Sequence, residues 1–198
     1  MRIYLVRHGE TELNRKKCYY GRTDAALSEK GIRQAEMLGD FFKNHSFDIV
    51  VSSPLQRTVH TAEYILGDRK QRIIQDDRLA EQNFGIFEGF TYEELLSKYP
   101  VEFQSWNQDF AGYRIPEGES FSDVRKRMDE FVKDLEKQSG TMLLVAHKGT
   151  LGHFLAASLH LPLEGYWNFV FDQGCYSCVD YEDGYAIIRK LNQSVIQK

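Results

Sequence analysis

Short apolar segments of this 198-residue sequence are followed by two arginines, two histidines and a glutamate: Arg7, His8, Arg57, Glu81 and His147. Arginine binds phosphate through paired, charge-assisted hydrogen bonds, and a neutral imidazole can attack phosphorus as a nucleophile. A carboxylic acid can donate the proton that a leaving oxygen requires. These residue types therefore predict phosphoryl transfer, provided that the fold brings them together.

The surrounding pattern predicts the elements that would position these residues. Predicted strands lie at residues 3–6, 47–51, 72–75 and 141–146, and helical patterns separate them. This alternation favours a mostly parallel sheet with helices on both faces, an α/β three-layer sandwich. Further strands at 167–171, 176–181 and 185–190 predict an antiparallel edge. Since the carboxyl ends of parallel strands meet at one edge of a sheet, the five residues should converge there.

The segment between the third and fourth strands predicts an addition to this sheet. Thr91 begins a helix with Glu94 three residues later, and Pro100 is expected to end it. Residues 101–119 show no regular period and are expected to be irregular. We therefore predict a single domain over residues 1–198, with a small cap-like insertion around residues 90–119.

Composition restricts the classes of partner. The net charge of −4 does not support binding to nucleic acid or to an anionic membrane, whereas a local group of arginines and histidines suits a small anion. No apolar run approaches the ~20 residues of a membrane span, and because Met1 leads directly into the first predicted strand, no signal peptide is expected. The three cysteines suggest no disulfide framework, so a cytoplasmic location is expected.

The blocks that carry the five residues resemble the histidine phosphatase superfamily, the phosphoglycerate-mutase-like group. The resemblance rests on Arg7-His8-Gly9-Glu10-Thr11 with Asn14, Ser53-Pro54-Leu55-Gln56-Arg57-Thr58, Glu81 in the loop 79–89, and Val145-Ala146-His147-Lys148-Gly149. The sequence departs from many members at Lys148, which follows the histidine where they have glycine. Four blocks in the same order over residues 1–150 make the resemblance specific.

The resemblance implies a role for each matching residue. His8 would be the phosphorylated nucleophile and Glu81 the general acid, which must begin protonated. The phosphate pocket would consist of Arg7, Arg57 and His147. Further substrate or phosphate contacts are expected from Asn14, Tyr20, Gly21, Lys148 and Gly149. No metal and no cofactor are expected, because the cationic side chains would neutralise the phosphoryl oxygens.

The reaction and the substrate leave alternatives open. The loop 84–89 looks like that of the phosphatase subgroup, and no basic insertion of the mutase type follows it. The C-terminal third resembles the α-ribazole phosphatases of cobalamin biosynthesis, which implies α-ribazole 5′-phosphate or adenosylcobalamin 5′-phosphate as the small-molecule substrate. The alternatives are a phosphoserine, sugar-phosphate or broad-specificity phosphatase, a phosphoglycerate mutase, and a non-catalytic phospho-ligand binding module. A homodimer is left open.

A nucleotide-like base would need an aromatic wall in the pocket. The candidates are Tyr20, Phe84, Trp106, Phe110 and Tyr113. The remaining histidines, including His153, lie on predicted helices or at their ends. Surface or capping positions are expected for these histidines.

Overall fold

The central strand of the sheet divides the hydrophobic core into two layers. In the computed structural model, which describes residues 1–195, Leu144 packs in one apolar cluster while Leu143 and Val145 pack in the other. Successive side chains of a strand point to opposite faces, so an apolar strand of this kind must be covered on both sides. The confirmed architecture is therefore the three-layer α/β sandwich.

Within residues 1–195, six strands form one mixed sheet in the order β3-β2-β4-β1-β5-β6. The first four in that order are parallel, and β5 and β6 form the antiparallel edge. The strand bounds are β1 Arg2–Arg7, β2 Ile49–Ser52, β3 Ile73–Gln75, β4 Thr141–Ala146, β5 Cys175–Glu182 and β6 Tyr185–Ser194. The mostly parallel sheet with an antiparallel edge is confirmed.

Two pairs of helices cover the two faces. The helix bounds are α1 Glu12–Arg15, α2 Glu29–Phe42, α3 Gln56–Leu66, α4 Tyr92–Lys98, α5 Pro100–Gln108, α6 Phe121–Leu135 and α7 Lys148–Ser158. Phe42 of α2 and Ile65 of α3 pack on one face, while Phe131 of α6 and Phe154 of α7 pack on the other. Short 3₁₀ helices cover Asp77–Leu79, Gly85–Phe87 and Leu163–Asn168.

The segment after the third strand has its own small core. Phe87, Leu95, Phe103, Trp106 and Ile115 form a third apolar cluster, separate from the two layers of the sheet. The capping box of Thr91 and Glu94 begins α4 as expected. The prediction of an irregular segment from residue 101 onward is wrong over its first part. Pro100 begins a new helix there, because the first helical position needs no N–H donor. The cap-like insertion itself stays a prediction.

The strand predicted at residues 167–171 is also wrong. A 3₁₀ helix occupies Leu163–Asn168, and both edges of β5 are already paired, with β1 and with β6. Trp167, an aromatic residue of the predicted strand, instead packs on another ring, with its centroid 5.1 Å from that of Phe110. The preceding residue, Tyr166, lies 4.7 Å from Phe121 between ring centroids. Tertiary packing therefore overrides their strand propensity.

Candidate active site

Strand register places two histidines side by side. The last residues of β1 and β4, Arg7 and Ala146, are paired in register, so His8 and His147 leave the sheet at the same level. Their ring centroids lie 5.1 Å apart. The expected convergence of sequence-distant residues at the carboxyl edge of the sheet thus occurs for both histidines.

His8 is held in a defined tautomer. Its Nδ1 lies 2.7 Å from the carbonyl oxygen of Gly9, which can only accept a hydrogen bond, so Nδ1 carries the proton and Nε2 is free as a nucleophile. Burial, followed by the charges of Arg57 and Arg7, lowers the pKa of His8 well below its usual range. The imidazole is therefore neutral, as attack on phosphorus requires.

His147 lies behind His8 and is completely buried. Its Nε2 is 2.8 Å from the hydroxyl of Ser53, which lies just beyond β2. Burial, and after it the charge of Arg57, also holds the pKa of His147 well below its usual range. A neutral imidazole at this place can serve as one hydrogen-bonding partner of a phosphoryl oxygen, and the hydroxyl of Ser53 orients it.

Two arginines provide the positive charge of the site, of which Arg57 is fully buried and Arg7 is half-buried. Nη1 of Arg7 donates to the carbonyl of Phe171, and Arg57 donates to the carbonyls of Thr23 and Gly21. Burial lowers the pKa of both guanidinium groups, which shows that their charges are held away from water. In each arginine a buried Nε has no partner among the residues that the structure describes. Since Nε–H can only donate, an anion bound beside the two arginines would accept a hydrogen bond from each of these groups.

Glu81 is fixed by the amino end of α7. Its Oε2 accepts from the backbone N–H of Gly149 at 3.0 Å, and its Oε1 accepts from that of Gln82 at 3.1 Å. A β-carbon on Gly149 would lie 2.1 Å from Oε1 of Glu81. Only glycine at position 149 therefore allows the carboxyl group of Glu81 to lie against the amino end of α7.

A second carboxylate, Glu88, positions Arg57 rather than the substrate. Its two oxygens accept from the backbone N–H groups of Gly21 and Thr23 at 2.8 and 3.0 Å, and from that of Phe84 at 3.0 Å. The same loop supplies the carbonyls that Arg57 binds. Glu88 therefore joins the loop around residues 21–23 to the loop that follows Glu81, and this role was not predicted from the sequence.

One cavity of about 640 Å³ collects most of the predicted site residues. Those that line it are Arg7, His8, Asn14, Tyr20, Arg57, Glu81, Lys148 and Gly149. Lys148 is exposed at the rim. His147 and Gly21 are not part of the lining. Both backbone groups of Gly21 are already bound, to Glu88 and to Arg57. The predicted direct contact of Gly21 with substrate is therefore replaced by support for Arg57.

Three further residues of the site were not singled out from the sequence. The side-chain amide of Gln173 donates to Oδ1 of Asn14 at 2.7 Å, which leaves the Asn14 amide nitrogen available. Tyr166 lines the cavity, and burial, followed by the charge of Glu81, raises the pKa of its phenol. His153 lines the cavity and is almost fully buried, so the expected surface or capping position is wrong. It is in the middle of α7, on the same helical face as Gly149.

The expected aromatic wall is present for most of its candidates. Tyr20, Phe84, Trp106 and Phe110 line the cavity. Tyr113 does not, and packs instead against the apolar cluster of Phe87 and Phe103.

No helix within residues 1–195 has both the length and the apolar character needed to cross a membrane.

Comparison with known proteins identifies relatives over the whole chain. The family model for the histidine phosphatase superfamily (branch 1) matches residues 3–194. The adenosylcobalamin/alpha-ribazole phosphatase of Escherichia coli strain K12 is 33% identical, covering 99% of this chain and 98% of the relative. Phosphoserine phosphatase 1 of Hydrogenobacter thermophilus is 32% identical, covering 97% and 92%. The crystal structure of the alpha-ribazole phosphatase from Shigella flexneri superposes with a TM-score of 0.94 at 33% identity, covering 100% of both chains.

Proposed function

The chain belongs to the histidine phosphatase superfamily, and on that basis we propose that it hydrolyses phosphomonoesters through a phosphoryl group carried by His8. The observation that carries the proposal is the tautomer of His8. Its Nδ1–H is bound to the Gly9 carbonyl, which leaves Nε2 free at a cavity that Arg7 and Arg57 also line.

The first step forms a bond between Nε2 of His8 and phosphorus while the bond from phosphorus to the ester oxygen breaks. The leaving oxygen takes the proton of Glu81, which lines the same cavity. The Nδ1 proton of His8 stays on the ring, so the phosphorylated imidazole is cationic. Arg7, Arg57 and His147 bind the oxygens on which charge accumulates, and loss of one such contact costs about 3 kcal/mol in the transition state.

The second step returns the protein to its starting state. A water molecule attacks phosphorus, and the carboxylate of Glu81 accepts the proton that this water loses. The bond between phosphorus and Nε2 breaks, which leaves His8 neutral with its proton still on Nδ1. Inorganic phosphate is released, and Glu81 is protonated again for the next substrate.

We propose α-ribazole 5′-phosphate, or adenosylcobalamin 5′-phosphate, as the substrate. Two observations support this choice. Relatives named for these substrates match the chain over almost its full length. In addition, the cavity continues from the arginines to a wall of aromatic residues, which suits a ring system better than a small aliphatic ester. We place the reaction in the cytoplasm, in accord with the free state of Cys18, Cys175 and Cys178.

Phosphoserine is the second candidate substrate, because phosphoserine phosphatase 1 of Hydrogenobacter thermophilus is nearly as similar to the chain. Lys148 at the rim would then face the carboxylate of phosphoserine. Steady-state kinetics with both esters separates the two candidates. A kcat/KM for phosphoserine equal to or above that for α-ribazole 5′-phosphate would contradict the first choice.

Trapping of the phosphorylated protein tests the mechanism directly. The protein is mixed with ³²P-labelled substrate, quenched, and digested under alkaline conditions that preserve phosphohistidine. We expect the label on the peptide that contains His8, and no label in a His8→Ala variant whose melting temperature is unchanged. His60→Ala, which changes an exposed histidine of α3, serves as the matched control. Turnover without any label on the wild-type peptide would contradict the covalent mechanism.

A further inference from the structure

The cavity extends beyond the residues that bind phosphate. Gly149 and His153 both line it and are four residues apart on α7, so these two points of the wall are separated by about 6 Å along the helix axis. The far end, here called the aromatic end, consists of Trp106, Phe110, Phe121, His153 and Trp167. None of these side chains has a part in the proposed steps at phosphorus.

The aromatic end is a continuous wall of rings. The ring centroid of Phe110 lies 5.1 Å from that of Trp106 and 5.1 Å from that of Trp167. Phe121 lies 4.2 Å from His153 and is nearly parallel to Trp167, with an interplanar angle of 12°. Trp167 is 62% exposed, so it forms the outer edge of this wall.

Two polar atoms in this wall are buried without a partner among the described residues. They are Nε1 of Trp106 and Nδ1 of His153. Burial, followed by the charges of Arg127 and Arg125, lowers the pKa of His153 to about 3, so its ring is neutral near pH 7. Indole N–H can only donate a hydrogen bond, whereas a neutral imidazole can donate or accept through Nδ1, depending on its tautomer. Buried polar groups in proteins are almost always paired, and both residues line the cavity, so a ligand there would supply the missing partners.

We propose that the aromatic end binds the planar base of the substrate, and that His153 and Trp106 supply the hydrogen bond to the one free ring nitrogen on the edge of that base. The inference rests on the proposed function, since it assigns a binding site to the base, which belongs to the part of the substrate that leaves with the ester oxygen. The rings supply stacking contacts, and the indole N–H requires an acceptor atom on the base. His153 is therefore a specificity-determining residue for phosphate esters of aromatic nucleosides.

Two substrates that differ only by the base test this assignment. α-Ribazole 5′-phosphate carries the base, and ribose 5-phosphate offers the same phosphorylated sugar without it. For the wild-type protein we expect a kcat/KM about 100-fold higher with the base, the scale of one or two stacked rings. A preference below twofold would overturn the inference, and it would leave the covalent mechanism standing if His8 still becomes labelled.

Variants of His153 separate recognition from a structural role. His153→Phe keeps the aromatic ring and removes both nitrogens, and His153→Asn places an amide near the former Nδ1. We expect His153→Phe to raise KM for α-ribazole 5′-phosphate about 10-fold, with kcat and the kinetics of ribose 5-phosphate changed less than twofold. His153→Asn should recover a part of the lost affinity. Equal losses for both substrates, or no change in KM, would contradict the role of His153.

The exposed edge of the wall gives a second, independent variant. Trp167→Leu should lower the preference for the base-bearing substrate about fivefold, because one stacking surface is lost. Tyr185→Leu is the matched control, since Tyr185 is 67% exposed on β6 and does not line the cavity. An unchanged preference in Trp167→Leu, or the same decrease in the control, would contradict the assignment.

Discussion

A single backbone contact decides how His8 can react. The carbonyl of Gly9 accepts from the proton-bearing nitrogen, and burial together with the charges of the neighbouring arginines keeps the ring neutral. The nucleophile is therefore ready without a base to activate it, unlike a serine that depends on a histidine. The remaining chemical requirement, a proton for the leaving oxygen, falls to Glu81.

The role of Glu81 predicts a dependence on the leaving group. We expect Glu81→Gln to lower kcat for an alkyl phosphate about 1,000-fold, because an alkoxide must be protonated as it leaves. The loss for 4-nitrophenyl phosphate should be small, since nitrophenolate leaves without a proton. Steady-state assays with both esters check this, with Glu93→Gln of α4 as an exposed control. Equal losses on the two esters would exclude Glu81 as the acid.

The position of Glu81 also requires that residue 149 has no side chain. In Gly149→Ala the new methyl group would occupy the place of the Glu81 carboxyl group, and Glu81 must move. A displacement of about 1 Å costs roughly 100-fold in rate, so we expect that decrease in kcat for alkyl phosphates. Differential scanning calorimetry should show an almost unchanged melting temperature. Full activity of the variant would show that Glu81 need not touch α7.

At the scale of elements, Glu88 joins two loops that carry different parts of the site. We expect Glu88→Ala to lower the free energy of unfolding by about 3 kcal/mol, because four backbone N–H groups and the hydroxyl of Thr23 lose a charged acceptor. KM should rise as well, since the carbonyls that hold Arg57 belong to one of these loops. Urea denaturation and steady-state kinetics measure the two effects. Glu93→Ala is the control, and an unchanged KM would separate Glu88 from Arg57.

The elements themselves were largely predictable where local pattern and packing agree. The apolar strand before His147 and the helix that begins after Ser120 both follow from period and capping residues. Pro100 ends α4 as expected. The helix that it begins was not predicted, because a proline can end one helix and begin the next, and the packing of Phe103 and Trp106 favours the second helix. The strand predicted at 167–171 failed for the same reason: its aromatic residues pack on rings distant in sequence.

The candidate site was predictable only for residues that resemble known motifs. His8, Arg57 and Glu81 stand in recognisable blocks, and the cavity collects them. His153 could have been found from its spacing, since it lies four residues after Gly149 on the same helical face. Gln173 could not, because its contact with Asn14 joins residues 159 positions apart and depends on the antiparallel edge.

For the whole molecule, buried histidines make stability depend on pH. The folded protein holds His8, His147 and His153 neutral, since the pKa of each lies below its ordinary value near 6.5. Below pH 6.5 these histidines bind protons in the unfolded chain but not in the folded protein. The free energy of unfolding therefore decreases as the pH is lowered. At pH 5.5 each histidine contributes a loss of about 1.4 kcal/mol relative to pH 7.5.

Urea denaturation at these two pH values measures the effect. We expect His153→Phe to reduce the difference between the two pH values by about 1.4 kcal/mol, because one titrating group is removed. His60→Phe should leave it unchanged, since His60 is exposed on α3. A difference that is the same in the wild type and in His153→Phe would show that His153 is protonated in the folded protein.

The position of β1 has a consequence for biosynthesis. This strand leaves the ribosome before the other strands of the sheet, yet its two neighbours are β4 and β5, which are translated more than 130 residues later. Until then both of its edges lack their native hydrogen bonds, and a prematurely terminated product that ends before Cys175 would keep one of them open. Such truncated products should associate through that edge and precipitate, whereas the complete polypeptide closes it.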